Sequence, residues 1–280
     1  MRIIKPLVVV EDDLGMILPN GMTTAQHMAK KIELFTRKCY RSEGRMTNDS
    51  YRTFLEGVFQ GKCHTGIADH RMISITFITD RGVGEEGVRH RMAAPYLEND
   101  QQVPMIEGGG PLGLLKESTR YCDYAEEGKR ALGLTFILPP WVNWQCGYDG
   151  SVVRWLDRKR EQERVYNECR RDGWRPEQAR AELPLGIKTE YVMSAPLGSW
   201  WNWCTKRTNV AAHPQMRQLA IPVLLYFRRH LPMFFNSVPY KDEPRVDGYH
   251  FDHKGEHYKE ARLVVNPYYD AVPLEEVYSD

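Results

Sequence analysis

Two short clusters hold the residues best suited to chemistry. Arg89-His90-Arg91 sets a titratable ring between two permanent cations, a combination that can bind an anion and exchange a proton near neutral pH. The same triplet also describes an ordinary solvated basic patch. Ser118-Thr119-Arg120-Tyr121 places two hydroxyls beside a guanidinium, and together these offer a phosphate short donors and a bidentate fork. No base stands near Ser118 in the sequence to take its proton, so a donor role suits it better than a nucleophilic one. Arg180 and Arg207 stand near helix ends among apolar residues. An unpaired charge would be costly there, so each calls for an anion or an acceptor.

The elements that must position these groups follow from periodicity. Arg2 to Val10 reads as a strand. Thr23 caps a helix running to Tyr40 with Met28, Ile32 and Phe35 at helical spacing, and Ser50 to Phe59 repeats the pattern through Tyr51, Phe54, Leu55 and Val58. Arg71 to Thr79 alternates, with Ile73, Ile75 and Phe77 on one face and Ser74 and Thr76 on the other, as a half-buried strand does. It runs into a helix over GVGEEGVRHRMA. Arg154 to Arg171 is a charged helix ending at Gly173, Pro176 opens a second that stops at Pro184, and TEYVM is extended. Pro214 opens a helix striped by Met216, Leu219, Ala220, Val223, Leu224 and Phe227, in which Pro222 predicts a kink. Ala93 to Leu115 has no period and holds a Gly triplet; a loop of that length implies a lid or a disordered segment. From Asn236 onward the chain is polar and aromatic without a firm period. These signals divide the chain into a domain over residues 1–235, with the insertion loop 93–115, and a C-terminal extension over 236–280.

Composition excludes several classes. With 38 Lys and Arg against 37 Asp and Glu, a net charge of +1 gives no global field for nucleic acid or an anionic membrane. The first apolar run is short and is closed by Glu11, Asp12 and Asp13, which predicts neither a signal peptide nor a membrane span and points to the cytoplasm. Six cysteines (Cys39, Cys63, Cys122, Cys146, Cys169 and Cys204) form no C-x-x-C pair and read as reduced thiols. His250, His253 and His257 would share a helical face, yet Gly255 lies among them and no carboxylate or cysteine partner is fixed by motif. A solvated tail, with no metal, is the simpler reading. Trp200, Trp201 and Trp203 suit core packing better than stacking on a ligand ring.

Taken in order, the two clusters resemble the signature of the flavin-dependent thymidylate synthase family, R-H-R followed by S-x-R-Y. Upstream, RKCYRSEGRMTNDS and HTGIADHRMISITFITDRGV resemble family segments, and downstream ARAELPLGIKTEYV and SWWNWCTKRTNVAAHPQMRQLA do the same. The resemblance runs from about Lys38 to Phe235. It implies an α+β fold, a mixed sheet with flanking helices and a long insertion loop. It implies an enzyme that methylates dUMP to dTMP, with FAD as cofactor, methylenetetrahydrofolate as carbon donor and NADPH as reductant. It also implies a homotetramer with shared sites. Ser118, Arg120, Arg180, Arg207 and Glu86 match nucleotide-binding positions, Arg207 being the one that stabilises charge on the pyrimidine. His64, Arg89, His90, Arg91 and Asn202 match flavin positions.

The sequence departs from the family pattern at several places. A score of extra residues separates Arg91 from Ser118. Pro196 stands where an asparagine is expected, Ala211 where a histidine often stands, Glu86 where a glutamine can contact the nucleotide, and Lys116 replaces a polar residue. Two alternatives follow from these departures: hydroxymethylation of dUMP or another pyrimidine nucleotide, and a catalytically silent homologue that binds a nucleotide or serves in an assembly.

Overall fold

Two nine-residue strands, β3 (Met72–Asp80) and β8 (Lys188–Pro196), pair antiparallel along their whole length. They form the spine of a five-stranded mixed sheet ordered β11-β2-β3-β8-β6, in which β2 is Leu7–Val10, β6 is Gly113–Lys116 and β11 is Arg262–Val265. A three-stranded sheet, β12-β1-β7, joins Glu276–Ser279, Arg2–Ile4 and Thr135–Ile137. Two-stranded pairs link β4 (Leu97–Glu98) to β5 (Gln101–Gln102) and β9 (Tyr249–Phe251) to β10 (His257–Lys259). The helices are α1 (Thr24–Tyr40), α2 (Ser50–Glu56), α3 (Arg81–Arg89), α4 (Gly150–Arg171), α5 (Pro176–Ala179), α6 (Leu197–Arg207), α7 (Pro214–His230) and α8 (Pro232–Phe235). This computed structural model describes residues 1–89, 97–98, 101–102, 113–125, 133–142, 150–240, 249–251, 257–265 and 276–279. The architecture is α+β, a mixed sheet flanked by helices.

The sequence signals explain the helices and place β3 and β8, and they fail where a strand's partner or second covered face is remote. Thr23 caps α1 through a reciprocal box with Gln26, the hydroxyl accepting from the Gln26 amide at 3.1 Å and the Gln26 side chain accepting from the Thr23 amide at 2.9 Å. The helix expected over Ser50 to Phe59 ends at Glu56 and widens into a π turn over Gly57–Gly61. The strand expected over Arg2 to Val10 divides at Lys5-Pro6, and its halves serve different sheets, because proline has no N–H for a ladder. β3 is buried on both faces from Ile75 to Asp80 rather than on one. Its second face, carrying Ile78, packs with Leu7, Val9, Ile4 and Ile137, so the smaller sheet covers what alternation had assigned to solvent.

Two long-range pairings bring in segments without local period. The expected insertion loop ends in β6, which pairs with Tyr191 to Ser194 of β8, and Leu97–Glu98 pairs with Gln101–Gln102; the rest of it lies outside the described residues. The aperiodic tail supplies β11, parallel to β2, and β12, antiparallel to β1. Pro222 sits inside α7 and has no N–H to reach back to Gln218. The carbonyl so freed accepts from the Ala261 amide at 2.9 Å, one residue before β11. His250 and His257 stand in β9 and β10 instead of on a helix, and His253 lies outside the described residues.

Candidate active site

α3 is seated on β8 by glycines. A Cβ at Gly84 would stand 2.9 Å from Thr189 Cγ2, and one at Gly87 only 2.5 Å from Tyr191 Oη, so any other residue would lift the helix off the sheet. Its start is fixed by Asp80, which accepts from the Val83 amide at 2.8 Å and from Gln215. Burial pushes the Asp80 carboxyl above its ordinary value, ahead of the opposing pull of these hydrogen bonds.

The C-terminal turn of α3 leaves carbonyls without intrahelical partners, and α6 supplies the donors. Trp203 Nε1 donates to the Gly87 carbonyl at 3.2 Å. Arg207 donates through Nη1 to Glu86 Oε1 at 2.9 Å and through Nη2 to the Glu86 carbonyl. Arg207 is only 4% exposed, and a guanidinium so placed complements both the carboxylate and the negative end of the helix dipole. The acceptor that the sequence demanded for Arg207 is therefore Glu86. Arg89 ends this helix, while His90 and Arg91 lie outside the described residues, as does the side chain of Arg89.

The Ser118 turn lies just beyond β6, tied to α3 through the ion pair of Lys116 with Glu85. Ser118 Oγ accepts from the Arg120 amide at 3.2 Å, and its carbonyl accepts from the amides of Tyr121 and Cys122 at 3.3 and 3.0 Å. The flanks are rigid. Glu117 accepts from Lys188 and from Tyr124 Oη, both at 2.8 Å, and Asp123 pairs with Arg170 at 2.7 Å. The Arg170 hydrogen bond holds the Asp123 carboxyl below its usual range. Arg120 reaches outward, 3.9 Å from Glu177 of α5. Arg180, three residues further along, is exposed. That corrects the expectation of an apolar setting for it: the turn after α5 faces solvent, so no buried charge there demands a partner.

His64 and Asn202 occupy other parts of α6's surroundings. Asn202 is buried on α6 itself. His64 is exposed, with Nδ1 2.9 Å from Tyr40 Oη, and opens the short helix Thr65–His70 that packs at the start of α6. Gly198 there approaches Asp69, whose carboxyl burial pushes upward. The helix that His64 opens meets α6 at Gly198, near its start, whereas Arg207 ends it. Trp200 and Trp203 are core residues, their indole nitrogens bonded to the carbonyls of Ile73 and Gly87. Cys39, Cys63, Cys122, Cys169 and Cys204 are free thiols. Among the described residues no His, Cys, Asp and Glu cluster could hold a metal, and no helix is long and apolar enough to cross a membrane.

Beside Glu86 opens a cavity of about 440 Å³ that sequence reasoning missed. Asp80, Val83 and Glu86 line it from α3 and its cap, Trp155 and Lys159 from α4, and Trp141 and His213 from loops. Its one legible signal was Lys159, which falls on the buried stripe of α4 with Val152, Leu156, Glu163 and Tyr166, where a lysine is out of place.

A family model described as thymidylate synthase complementing protein matches residues 22–233. No curated protein matches the chain significantly. The chain belongs to the thymidylate synthase complementing protein family, and its function is of the thymidylate synthase type, with dUMP the substrate the family implies.

Proposed function

We propose that this family member methylates dUMP to dTMP with FAD as cofactor, methylenetetrahydrofolate as carbon donor and NADPH as reductant. The observation that carries the reading is the buried Arg207 clamped by Glu86 at the edge of the cavity. A pre-positioned guanidinium acts on charge that develops in the transition state without being reorganised at that moment. Arg207 would accept negative charge forming on the pyrimidine ring, and Glu86 would keep its fork in one orientation while accepting from a ring N–H. Ser118, Arg120 and Arg180 would hold phosphate and sugar, the exposed arginines supplying charge and the turn supplying a fixed hydroxyl.

The donors around the start of α6 fit a flavin with its phosphates. The His64 ring is exposed with one nitrogen engaged by Tyr40, and the buried Nε of Arg71 has no hydrogen-bond partner among the described residues. His64, Arg89, His90, Arg91 and Asn202 would hold the flavin. When bound and reduced, it supplies the redox chemistry that moves a one-carbon unit from the folate to C5 of dUMP. The separation of His64 from Arg207 along α6 supports a homotetramer in which each site draws on more than one chain.

The test is a visible absorption spectrum of the purified chain, followed by anaerobic addition of NADPH with and without dUMP and mass analysis of the nucleotide product. A bound flavin that bleaches faster with dUMP, and a product heavier by one methylene, is the expected result. A protein that takes up no FAD and leaves dUMP unchanged would sink the reading in favour of a silent homologue. A product carrying a hydroxymethyl group would replace the reaction while keeping the site.

A further inference from the structure

The cavity beside α3 has an unspent positive charge. Lys159 Nζ donates to Gln162 Oε1 at 3.2 Å and lies 5.0 Å from the Phe136 ring centroid and 5.6 Å from that of Trp155. An ammonium has three donors, and no other hydrogen bond or ion pair is made by this one among the described residues. Burial lowers its pKa by more than the nearby Asp80 charge raises it, as for an ammonium short of water. The acids that share the cavity are already engaged. Asp80 is taken by the Val83 amide and Gln215, and Glu86 by Arg207. The remaining wall is flat and apolar: Pro139, Trp141, Trp155 and Leu185. Trp141 stands half-exposed at the mouth, its ring edge-on to His213 at 5.7 Å.

We propose that this cavity binds a planar aromatic carboxylate, its ring against the indoles of Trp141 and Trp155 and its carboxylate on Lys159. Charge decides for one carboxylate over a phosphate. Glu86 is already neutralised by Arg207, so a monoanion on Lys159 meets the repulsion of Asp80 alone, whereas a phosphate dianion would be repelled twice as strongly and would find no guanidinium fork. The volume accepts a substituted benzene ring with its tail. p-Aminobenzoate, a free aromatic acid, belongs to this ligand class.

The experiment is isothermal titration calorimetry on this chain with p-aminobenzoate and its neutral amide p-aminobenzamide. The expected result is saturable binding of the acid, at least tenfold weaker binding of the amide, and at least tenfold weaker binding of the acid to Lys159→Gln. Trp141→Ala, at a half-exposed rim position that packing does not need, should weaken the acid several-fold with the circular dichroism spectrum unchanged. Equal binding of acid and amide, unchanged affinity in Lys159→Gln and Trp141→Ala, or no heat from any probe overturns the proposal. A parallel dUMP titration reads the nucleotide site separately, so the two proposals fail independently.

Discussion

Replacing Gly87 with alanine should unseat α3, and the structure gives both the size of the effect and its remedy. The new Cβ would lie 2.5 Å from Tyr191 Oη and 3.3 Å from Met216 Cε, where ordinary contact begins near 3.4 Å. The hydroxyl must therefore retreat by roughly 0.9 Å, set by those two distances. It has nowhere to go, since Tyr191 is fully buried and stacked on Phe77 with centroids 5.1 Å apart. Overpacking of this kind costs about 1–3 kcal/mol, and the better helix propensity of alanine returns about 0.5–1 kcal/mol. A net loss of about 1–2 kcal/mol is expected for Gly87→Ala. Tyr191 Oη is buried without a hydrogen-bond partner among the described residues, so Tyr191→Phe loses no bond to them and removes a desolvated hydroxyl worth about 1–3 kcal/mol. That variant should be neutral or stabilised.

In the double variant the nearest tyrosine atom is the ring carbon Cζ at 3.4 Å, an ordinary contact. Urea denaturation at fixed protein concentration should then show a favourable coupling of about 1–2 kcal/mol across the double-mutant cycle. The Glu86 and Gly87 carbonyls are the acceptors of Arg207 and Trp203, so dUMP affinity should fall in Gly87→Ala and recover in the double variant. Additive single effects, or a Tyr191→Phe chain that is destabilised by more than about 1 kcal/mol, would refute the seating argument.

Glu86→Ala should lower stability by about 1–2 kcal/mol, less than for a fully dry pair because Glu86 is 30% exposed, and raise the KM for dUMP; Glu86→Gln, which keeps the acceptor oxygen, should recover most of both, equal losses in the two variants would show that charge rather than the hydrogen bond makes the clamp, and no loss in either would remove Glu86 from it. Arg120→Ala should leave the unfolding midpoint unchanged, since its pair with Glu177 is exposed and 3.9 Å long, while weakening dUMP about 10- to 100-fold by loss of a charged phosphate contact. Unaltered dUMP binding in that variant, read by calorimetry, removes Arg120 from the nucleotide site. Asp80→Asn tests linkage. Burial raises the native carboxyl above the 3.8 of the free group, so between those values the native state binds more protons and stability falls as pH rises. The variant should lose that fall, and an identical urea-midpoint profile upward from about pH 4 would contradict the burial account.

What could be read from the sequence was what neighbours in the chain decide. The box at Thr23 and Gln26, the stop at Gly173 with its positive φ of 87°, and the stripe of α7 are set within a few residues, and all are present as expected. Strands whose partners are remote were not legible: β11 and β12 are strands because Leu7–Val10 and Arg2–Ile4 offer edges more than two hundred residues away. The candidate site divides along the same line. The sequence called for an acceptor at Arg207 on grounds of cost alone, and the structure supplies one 121 residues away. The same reasoning failed for Arg180, because apolar neighbours in sequence do not imply an apolar setting in space.

The seat of α3 joins these observations into one dependence. β3 ends at Asp80, the helix begins on that carboxylate, glycines let it lie against Thr189 and Tyr191, and its last carbonyls receive Trp203 and Arg207. Arg89 leaves from the end of this helix, with His90 and Arg91 next in the chain. The helix that ends at Arg89 is thus set in place by contacts that no motif contains. A substitution at Gly84, buried against Thr189 and itself no proposed ligand contact, should therefore disturb cofactor and nucleotide binding together, whereas one at Arg120 should disturb the nucleotide alone. That difference in pattern separates a helix that positions from a side chain that binds.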